Sequence, residues 1–392
     1  MNPKTVPTEL SATFTAVIKI PFNRPSTQGR EIQYIRDAIR RGHLSGDGYY
    51  THRCHERLEH LLGVPDVLLT PSCTHALEMA FLLADLHPGD EVILPTFTFT
   101  STANAFILRG AIPRFLDSRS DTLNMNDRLL ESALTPRTRA ILPVHYGGVP
   151  CQMDVIMRFA RKHQLYVIED SAQALGATFK GKPAGTFGHL NAISFHETKN
   201  CMCGEGGALV IRDREFMARA HILRQKGTNR DQFLKGRVDK YSWVDIGSSY
   251  VPSELQSAYL LAQLEHVDRI HRRRKRLFEE YVKDLNPFEK RGQIQLPIIP
   301  SGCISSYHLF YVIFESEKER ERVRRGLLSK GILAVTHYFP LHLSKMGRRY
   351  GYRQGQFPVA EQTSERLLRL PFYNNMTSKE QEKVLSSLKA LL

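Results

Sequence analysis

The chain has no apolar run long enough to cross a bilayer, no low-complexity block and no internal repeat. The first absence excludes a membrane-spanning helix, and the second leaves little of the chain to be disordered. None of the six cysteines (Cys54, Cys73, Cys151, Cys201, Cys203 and Cys303) belongs to a CxxC pair. Cys201-Met202-Cys203 lacks both zinc-ligand spacing and a partner pair, so no metal is expected. Residues 1–18 hold Thr, Pro, Glu and Lys without a continuous apolar core. They read as a loose extension and not as a secretory signal. With unpaired cysteines, that sets a reduced, cytoplasmic setting as the expectation.

What is present is an ordinary enzyme-like composition. The chain has 392 residues, 42% hydrophobic and 24% charged, a length that suggests two or three domains. The net charge of +14 would suit an anionic partner: nucleic acid, a membrane surface or a small anionic substrate. The densest basic run, His271-Arg272-Arg273-Arg274-Lys275-Arg276, lies inside a helical pattern from about 253 to 285. No aromatic interleaving accompanies it, so it reads as a solvated helix face, and neither nucleic acid nor membrane is expected as a partner.

From about 66 to 210 short apolar strands alternate with helices. Strands are expected at 67–70, 91–94, 112–116, 139–144, 166–169, 192–196 and 208–211, with helices at 74–86 and 101–108. This predicts an α/β domain, a mostly parallel sheet covered by helices on both faces. Ligands of such sheets bind outside the carboxyl ends of the strands, where Thr70, Pro95, Asp170 and Phe195 fall. After about 282 the pattern changes to strands at 293–296, 307–315 and 333–336 with helices at 317–330, 361–370 and 378–392, a smaller α+β domain. The expected division is an extension at 1–19, a large domain at 20–265 and a small domain at 266–392.

The chemistry-bearing residues sit at those strand ends. In Ser194-Phe195-His196-Glu197-Thr198-Lys199, followed by Gly204-Glu205-Gly206-Gly207, one lysine stands between an apolar strand and a glycine-rich turn. Neither core packing nor helix propensity explains it. A half-buried amine of lowered pKa is what a Schiff-base enzyme needs. Upstream, Val167-Ile168-Glu169-Asp170 is an apolar strand ending in a carboxylate, which needs a charged partner or a pyridinium. A carboxylate and then a lysine, each ending a strand, is the layout of a pyridoxal-phosphate site. Gln173, one helical turn on, reads alone as a solvated residue; beside a cofactor it could reach the ring oxygen. Pro71-Ser72-Cys73-Thr74 joins a strand to a helix, either as a simple cap or as a phosphate seat on the helix amides. With Lys199 and Asp170 in place, the phosphate reading is preferred. Of Phe97 and Phe99, one could stack on a flat ring, and the residues alone do not choose.

Two motifs are decoys. His55 and His60 bracket one residue too many for a zinc HExxH and would stand about 140° apart on a helix. Gly204-Glu205-Gly206-Gly207 has Leu209 where a dinucleotide fingerprint needs its third small residue, and it precedes a strand.

With these residues in place, the chain from about residue 20 onward resembles the DegT/DnrJ/EryC1/StrS family of sugar-nucleotide aminotransferases. Leu69-Thr70-Pro71-Ser72-Cys73-Thr74, Pro143-Val144-His145-Tyr146, Lys226-Gly227-Thr228-Asn229-Arg230 and His337-Tyr338-Phe339-Pro340-Leu341-His342 look like the subgroup that forms dTDP-4-amino-4,6-dideoxygalactose. The resemblance implies a fold-type I, pyridoxal-phosphate-dependent enzyme. It also implies amination of dTDP-4-dehydro-6-deoxy-D-glucose by L-glutamate, for surface polysaccharide of the enterobacterial common antigen or O-antigen type. A 3-keto or UDP-linked sugar is the alternative, and a regulator on the same fold is the reading outside enzymes. Lys199 is then the lysine that carries the cofactor and shuttles the proton, with Asp170 at the pyridine nitrogen and Gln173 at the ring oxygen. Cys73, Thr74 and Ser194 bind the phosphate, Phe99 stacks on the ring, and His196 lies in the same wall. Lys226, Arg230, Tyr338 and His342 are implied as substrate-binding. The family is a homodimer with shared sites, the segment 226–250 reaching into the neighbour. Many members carry an asparagine that touches the neighbour's cofactor phosphate, and here Val251 stands in its place, unable to donate.

Overall fold

The computed structural model describes residues 17–392, so the extension expected at 1–19 lies, over 1–16, outside the described residues. Two helices open the fold, α1 (Glu31–Arg40) and α2 (Tyr49–Leu62), the second stopped by Gly63 in the left-handed region at φ 65°. Strands and helices then alternate: β1 (Asp66–Thr70), α3 (Cys73–Leu83), β2 (Glu91–Pro95), α4 (Thr100–Ile107), β3 (Ile112–Leu116), α5 (Leu130–Ala133), β4 (Thr138–Ile141), α6 (Met153–His163) and β5 (Tyr166–Asp170). A short excursion, β6 (Thr178–Phe179) and β7 (Lys182–Pro183), precedes β8 (Leu190–Ser194), β9 (Gly207–Ile211), α7 (Met217–Arg224) and α8 (Arg230–Leu234).

Seven strands form one sheet in the order β1-β9-β8-β5-β4-β2-β3. Every pair is parallel except the two that β9 makes, antiparallel to β1 and β8. β1, β2, β8 and β9 are buried along their whole length, and β5 all but Tyr166, as a doubly covered sheet requires. One face packs Leu77, Phe81 and Phe106 of α3 and α4, and the other packs Met153, Ile156 and Phe159 of the amphipathic α6.

The expected single helix from 253 to 285 is two helices. α9 (Glu254–Leu264) begins on a capping box of Ser253 and Gln256, and α10 (Val267–Lys290) begins after a non-helical His266. The break lets each half serve a different core: α9 packs with α1 and α2, and α10 presents Leu277, Phe278, Tyr281 and Leu285 to the C-terminal layer. The basic run in α10 is not wholly solvated. Arg274 is buried, donates to the carbonyls of Tyr307 and His308, and lies over the Phe372 ring.

The C-terminal layer contains β10 (Ile294–Gln295), β11 (Cys303–Ile304), β12 (Tyr311–Phe314), α11 (Glu317–Ser329), α12 (Lys345–Arg349), α13 (Pro358–Arg366), β13 (Leu367–Arg369) and α14 (Ser378–Lys389). β10, β12 and β13 form a small antiparallel sheet. Two sequence expectations fail here. Residues 333–336 form no strand, only an isolated bridge from Val335 to Arg369. The helix expected at 361–370 ends at Arg366, because Leu367 and Leu368 are drawn into the sheet against β12, which leaves Arg369 at its end. Ile20, at the expected edge of the large domain, packs in this C-terminal core and bridges to Ile332.

Candidate active site

A cavity of about 950 Å³ opens at the carboxyl ends of β1, β2, β5 and β8, with its far wall made by the C-terminal layer. Lys199 lines it from the turn after β8. The side chain is half-buried, and burial of its amine lowers the pKa; Asp170 pulls it back upward, and Arg369 lowers it further.

Asp170 ends β5 and is buried. Its Oδ2 accepts from Thr102 Oγ1 at 2.9 Å and its Oδ1 from the Ala172 amide at 3.0 Å. Thr102 is in turn 2.9 Å from Thr98 Oγ1, so the carboxylate is held by a buried chain of hydroxyls. Gln173 is fixed at both ends of its amide: Oε1 accepts from the Gly147 amide at 2.7 Å and Nε2 donates to Tyr338 Oη at 3.0 Å.

The first turn of α3 faces the cavity with Cys73 and Thr74. Ser72 caps it, its hydroxyl accepting from the His75 amide, and Thr74 Oγ1 donates to Ser101 at 2.9 Å. Gly207 of β9 lies so close behind that a Cβ there would stand 2.3 Å from the Cys73 nitrogen, so only glycine lets the strand and the helix start approach. Burial pushes the Cys73 thiol pKa well up, which leaves it neutral. Ser194 and His196 line the same side, with His196 Nδ1 at 3.0 Å from Thr198 Oγ1.

The structure separates the two phenylalanines. Phe97 is buried against Tyr146 and Tyr338, whereas Phe99 is 57% exposed and lines the cavity. Tyr338 lines it too, at a strained φ of 22°, with its ring against His337.

Three of the expected substrate-binding residues lie elsewhere. His342 is fully buried away from the cavity. Its Nδ1 is 2.7 Å from Thr96 Oγ1 and its Nε2 3.0 Å from Glu361, so it ties the segment after Tyr338 to β2 and α13. Lys226 is exposed and Arg230 begins α8, and neither lines the cavity of its own chain. Val251 packs against Gly46 and is also outside the lining. Residues that sequence reasoning missed are Thr102, Ser101, His308 and Arg369. The run of threonines at 96, 98, 100 and 102 was a usable signal for Thr102; nothing in the local sequence marked Arg369.

The site is therefore a helix N-terminus with hydroxyls, a lysine and a carboxylate opening into one cavity, a two-ended amide and an open aromatic face. A helix N-terminus suits a phosphate, a carboxylate suits a ring nitrogen, and the aromatic face suits a flat ring. Pyridoxal phosphate fits this donor set. Among the described residues no group of three His, Cys, Asp or Glu side chains could hold a metal, and no helix is long and apolar enough to cross a membrane.

Comparison with known proteins agrees with this geometry. Residues 25–389 match the model of the DegT/DnrJ/EryC1/StrS aminotransferase family, and the chain belongs to that family. It is a pyridoxal-phosphate-dependent aminotransferase of fold type I. Spr1654 of Streptococcus pneumoniae, described as a sugar aminotransferase and solved in its PMP form, superposes with a TM-score of 0.89 at 27% identity, over 95% of this chain and 99% of that one. DesV of S. venezuelae, solved in complex with a ketimine intermediate, gives 0.86 at 30% identity, over 95% and 98%. The spore coat polysaccharide biosynthesis protein SpsC of Bacillus subtilis (strain 168) is 31% identical over 382 residues, 95% of this chain and 97% of SpsC.

Proposed function

We propose that the protein moves the amino group of L-glutamate to a nucleotide-linked keto-deoxysugar. The reading we favour is dTDP-4-dehydro-6-deoxy-D-glucose, giving dTDP-4-amino-4,6-dideoxy-D-galactose and 2-oxoglutarate for a surface polysaccharide of the enterobacterial common antigen or O-antigen type. The observation that carries transamination is the opening of Lys199 and Asp170 into one cavity, with the amine's pKa lowered by burial. Relatives described as sugar aminotransferases or polysaccharide-biosynthesis proteins support the sugar, as does a cavity of about 950 Å³ in a chain of net charge +14.

When bound, pyridoxal phosphate supplies an aldehyde that takes up the amino group and a ring that draws electrons from the neighbouring C–H bond. Lys199, unprotonated more readily than an exposed lysine, accepts the proton from the donor's α-carbon at Nζ and gives it back later in the half-reaction. Asp170, pinned at both oxygens, is a fixed negative charge for a protonated ring nitrogen. Cys73, Thr74, Ser101 and Ser194 hold the phosphate end, Gln173 the ring oxygen and Phe99 the ring face. His196 and Tyr338 close the walls.

The active unit is a homodimer in the cytoplasm in this reading. Lys226 and Arg230, remote from their own cavity, are candidates for the phosphates of the sugar nucleotide in the neighbour's site. The deciding experiment is incubation of the holoenzyme with L-glutamate and dTDP-4-dehydro-6-deoxy-D-glucose, followed by NMR of the product. An axial amine at C4 identifies the galacto product. No reaction with this sugar but turnover of a 3-keto or UDP-linked sugar moves the assignment to that substrate.

A further inference from the structure

The strand that carries Asp170 also carries a carboxylate that the chemistry above does not use. Glu169 precedes Asp170 on β5, so alternation along the strand turns its side chain to the other face of the sheet, and it does not line the cavity. It is fully buried and accepts four hydrogen bonds. Three come from the amides of Gly185 at 2.9 Å, Phe187 at 2.8 Å and Gly188 at 2.7 Å, and the fourth from His145 Nε2 at 2.9 Å. Burial alone would raise its pKa; the hydrogen bonds from His145 and the glycine amides outweigh burial and hold it below the usual value. His145 is as deeply buried. Its Nδ1 accepts from the Cys151 amide at 3.0 Å, so the ring proton sits on Nε2 and points at Glu169. With both ring nitrogens engaged by its own chain, His145 is an anchor and not a reagent.

What it anchors is the turn Tyr146–Gly148. His145 opens that turn, and its bond to Cys151 closes the loop behind it. The Gly147 amide donates to Gln173 Oε1 at 2.7 Å. Gly148 stands so near that a Cβ there would run into the Gln173 carbonyl and Ser306 Oγ, and Ser306 Oγ donates to that carbonyl at 2.5 Å. Tyr146 Oη is 2.7 Å from His337 Nδ1, beside Tyr338, whose hydroxyl takes the Gln173 Nε2. The Gly147 contact also settles the polarity of the Gln173 amide. An N–H can meet only its oxygen end, so Nε2 is turned to Tyr338, and one of its two protons is left over for a ligand.

Building on the reading of Gln173 as the group at the cofactor's ring oxygen, we propose that the buried pair His145–Glu169 is a positioning element that fixes the polarity of the Gln173 amide and so makes Gln173 a donor to that oxygen. Neither residue touches the cofactor. Their effect reaches it only through the turn Tyr146–Gly148 and Gln173.

The test reads the ionisation of the bound cofactor in the holoenzyme instead of turnover. A donor to an oxygen that carries negative charge favours the deprotonated form, so loss of the donor raises the pH midpoint at which the visible band shifts. Gln173→Ala should raise it by about one pH unit, the scale of one hydrogen bond to a charged group. In His145→Asn the side-chain oxygen can still accept from Cys151, but the donor to Glu169 is gone, and the midpoint should rise by about half as much or more. His145→Gln, whose amide reaches the Nε2 position, should bring it most of the way back. The double variant His145→Asn, Gln173→Ala should match Gln173→Ala alone, because an effect carried by Gln173 cannot add to its removal. A rise that adds to that of Gln173→Ala overturns the proposal, as does an unmoved midpoint in His145→Asn while Gln173→Ala shifts. A crystal structure of the His145→Asn holoenzyme gives an independent reading: the Gln173 amide should leave Gly147, and an amide still seated between Gly147 and Tyr338 overturns the proposal. Should Gln173→Ala itself leave the midpoint unmoved, it is the reading of Gln173 at the ring oxygen that fails, and that structure still decides whether the pair fixes the amide. If His145→Asn does not fold, Glu169→Asp, which draws the carboxylate back by one methylene, breaks the same contact and is judged by the same outcomes.

Discussion

The wall of the cavity built by the sheet and the wall built by the C-terminal layer differ in how their polar groups are satisfied. On the sheet side, both oxygens of Asp170 are engaged by the chain, both ends of the Gln173 amide are engaged, and Ser72 caps the helix that carries Cys73 and Thr74. On the opposite side, Arg369 has donors without an anion, and Phe339 leaves 63% of its surface open. A polar group locked by its own chain is preorganised, with little left to rearrange when the cofactor binds. A group with spare capacity gains its partner only from a ligand. The same contrast separates the buried sheet from the segment 226–250, where Phe233, Leu234, Tyr241, Trp243, Val244 and Ile246 are all exposed. The family resemblance places this segment against a neighbouring subunit, and the fold leaves these apolar side chains outside the core, as a surface that awaits a partner does.

Substitutions on the sheet side should have the largest effects. Lys199→Ala should lower transamination by about 10⁴-fold or more, because in the proposed reading Lys199 is both the cofactor's attachment point and the proton carrier. Borohydride reduction of the wild-type holoenzyme should fix the label on the peptide containing Lys199, and a label on another lysine breaks the assignment. Asp170→Asn removes the charge but not the shape. Turnover should fall by about 10²- to 10³-fold while cofactor still binds, as judged by retained visible absorbance after gel filtration.

The surface at 226–250 comes next. Trp243 is the only tryptophan in the chain and 79% exposed in a single subunit. In a homodimer that covers this segment its fluorescence should be blue-shifted and should move to the red on dilution. Trp243→Asp should weaken the dimer by about 2 kcal/mol or more, visible by sedimentation. Red emission at every concentration, with full activity as a monomer, would leave this surface without its partner. A smaller effect belongs to Tyr338→Phe, which removes one hydrogen bond to Gln173 and should reduce turnover by about three- to tenfold.

The smallest effect is on stability and has a defined sign. The Lys199 pKa is lowered by burial from its ordinary value of 10.5, so the unfolded chain binds the proton more readily than the folded one. Below the lowered pKa the folded state carries the full penalty. The penalty fades as pH rises through the lowered pKa toward 10.5 and is gone above it, where both states are neutral. Cofactor-free Lys199→Met should therefore melt higher than wild type at neutral pH, and its advantage should shrink as pH rises through that window. A melting difference independent of pH would show that the amine is not desolvated.

How much of this was readable in the chain depends on how local each cause is. The strands of the large sheet announced themselves as short apolar runs with punctuation between them, and their ends located Lys199 and Asp170. Both residues carry a charge that an apolar neighbourhood cannot explain, so their types alone pointed to chemistry. The capped turn at Ser72 was likewise a local signal. The choice between Phe97 and Phe99 was not local, since both alternate with threonine and only the packing of Tyr146 and Tyr338 buries one of them. His342 had the wrong implied role for the same reason. A histidine in a motif gives no indication that Thr96 and Glu361 will enclose it.

The sequence by itself determined an α/β sheet with a lysine and a carboxylate at neighbouring strand ends, because hydrophobic periodicity and isolated charge are properties of short segments. Tertiary structure alone decided what faces them. It broke the long helix at His266 so that its halves serve two cores, and it buried Arg274 to hold the backbone of Tyr307 and His308. It also drew Leu367 and Leu368 out of an expected helix into a sheet, leaving Arg369 on the cavity wall. Each of these depends on pairing between residues far apart in the chain, where burial of a few side chains in one sheet outweighs the local preference for helix.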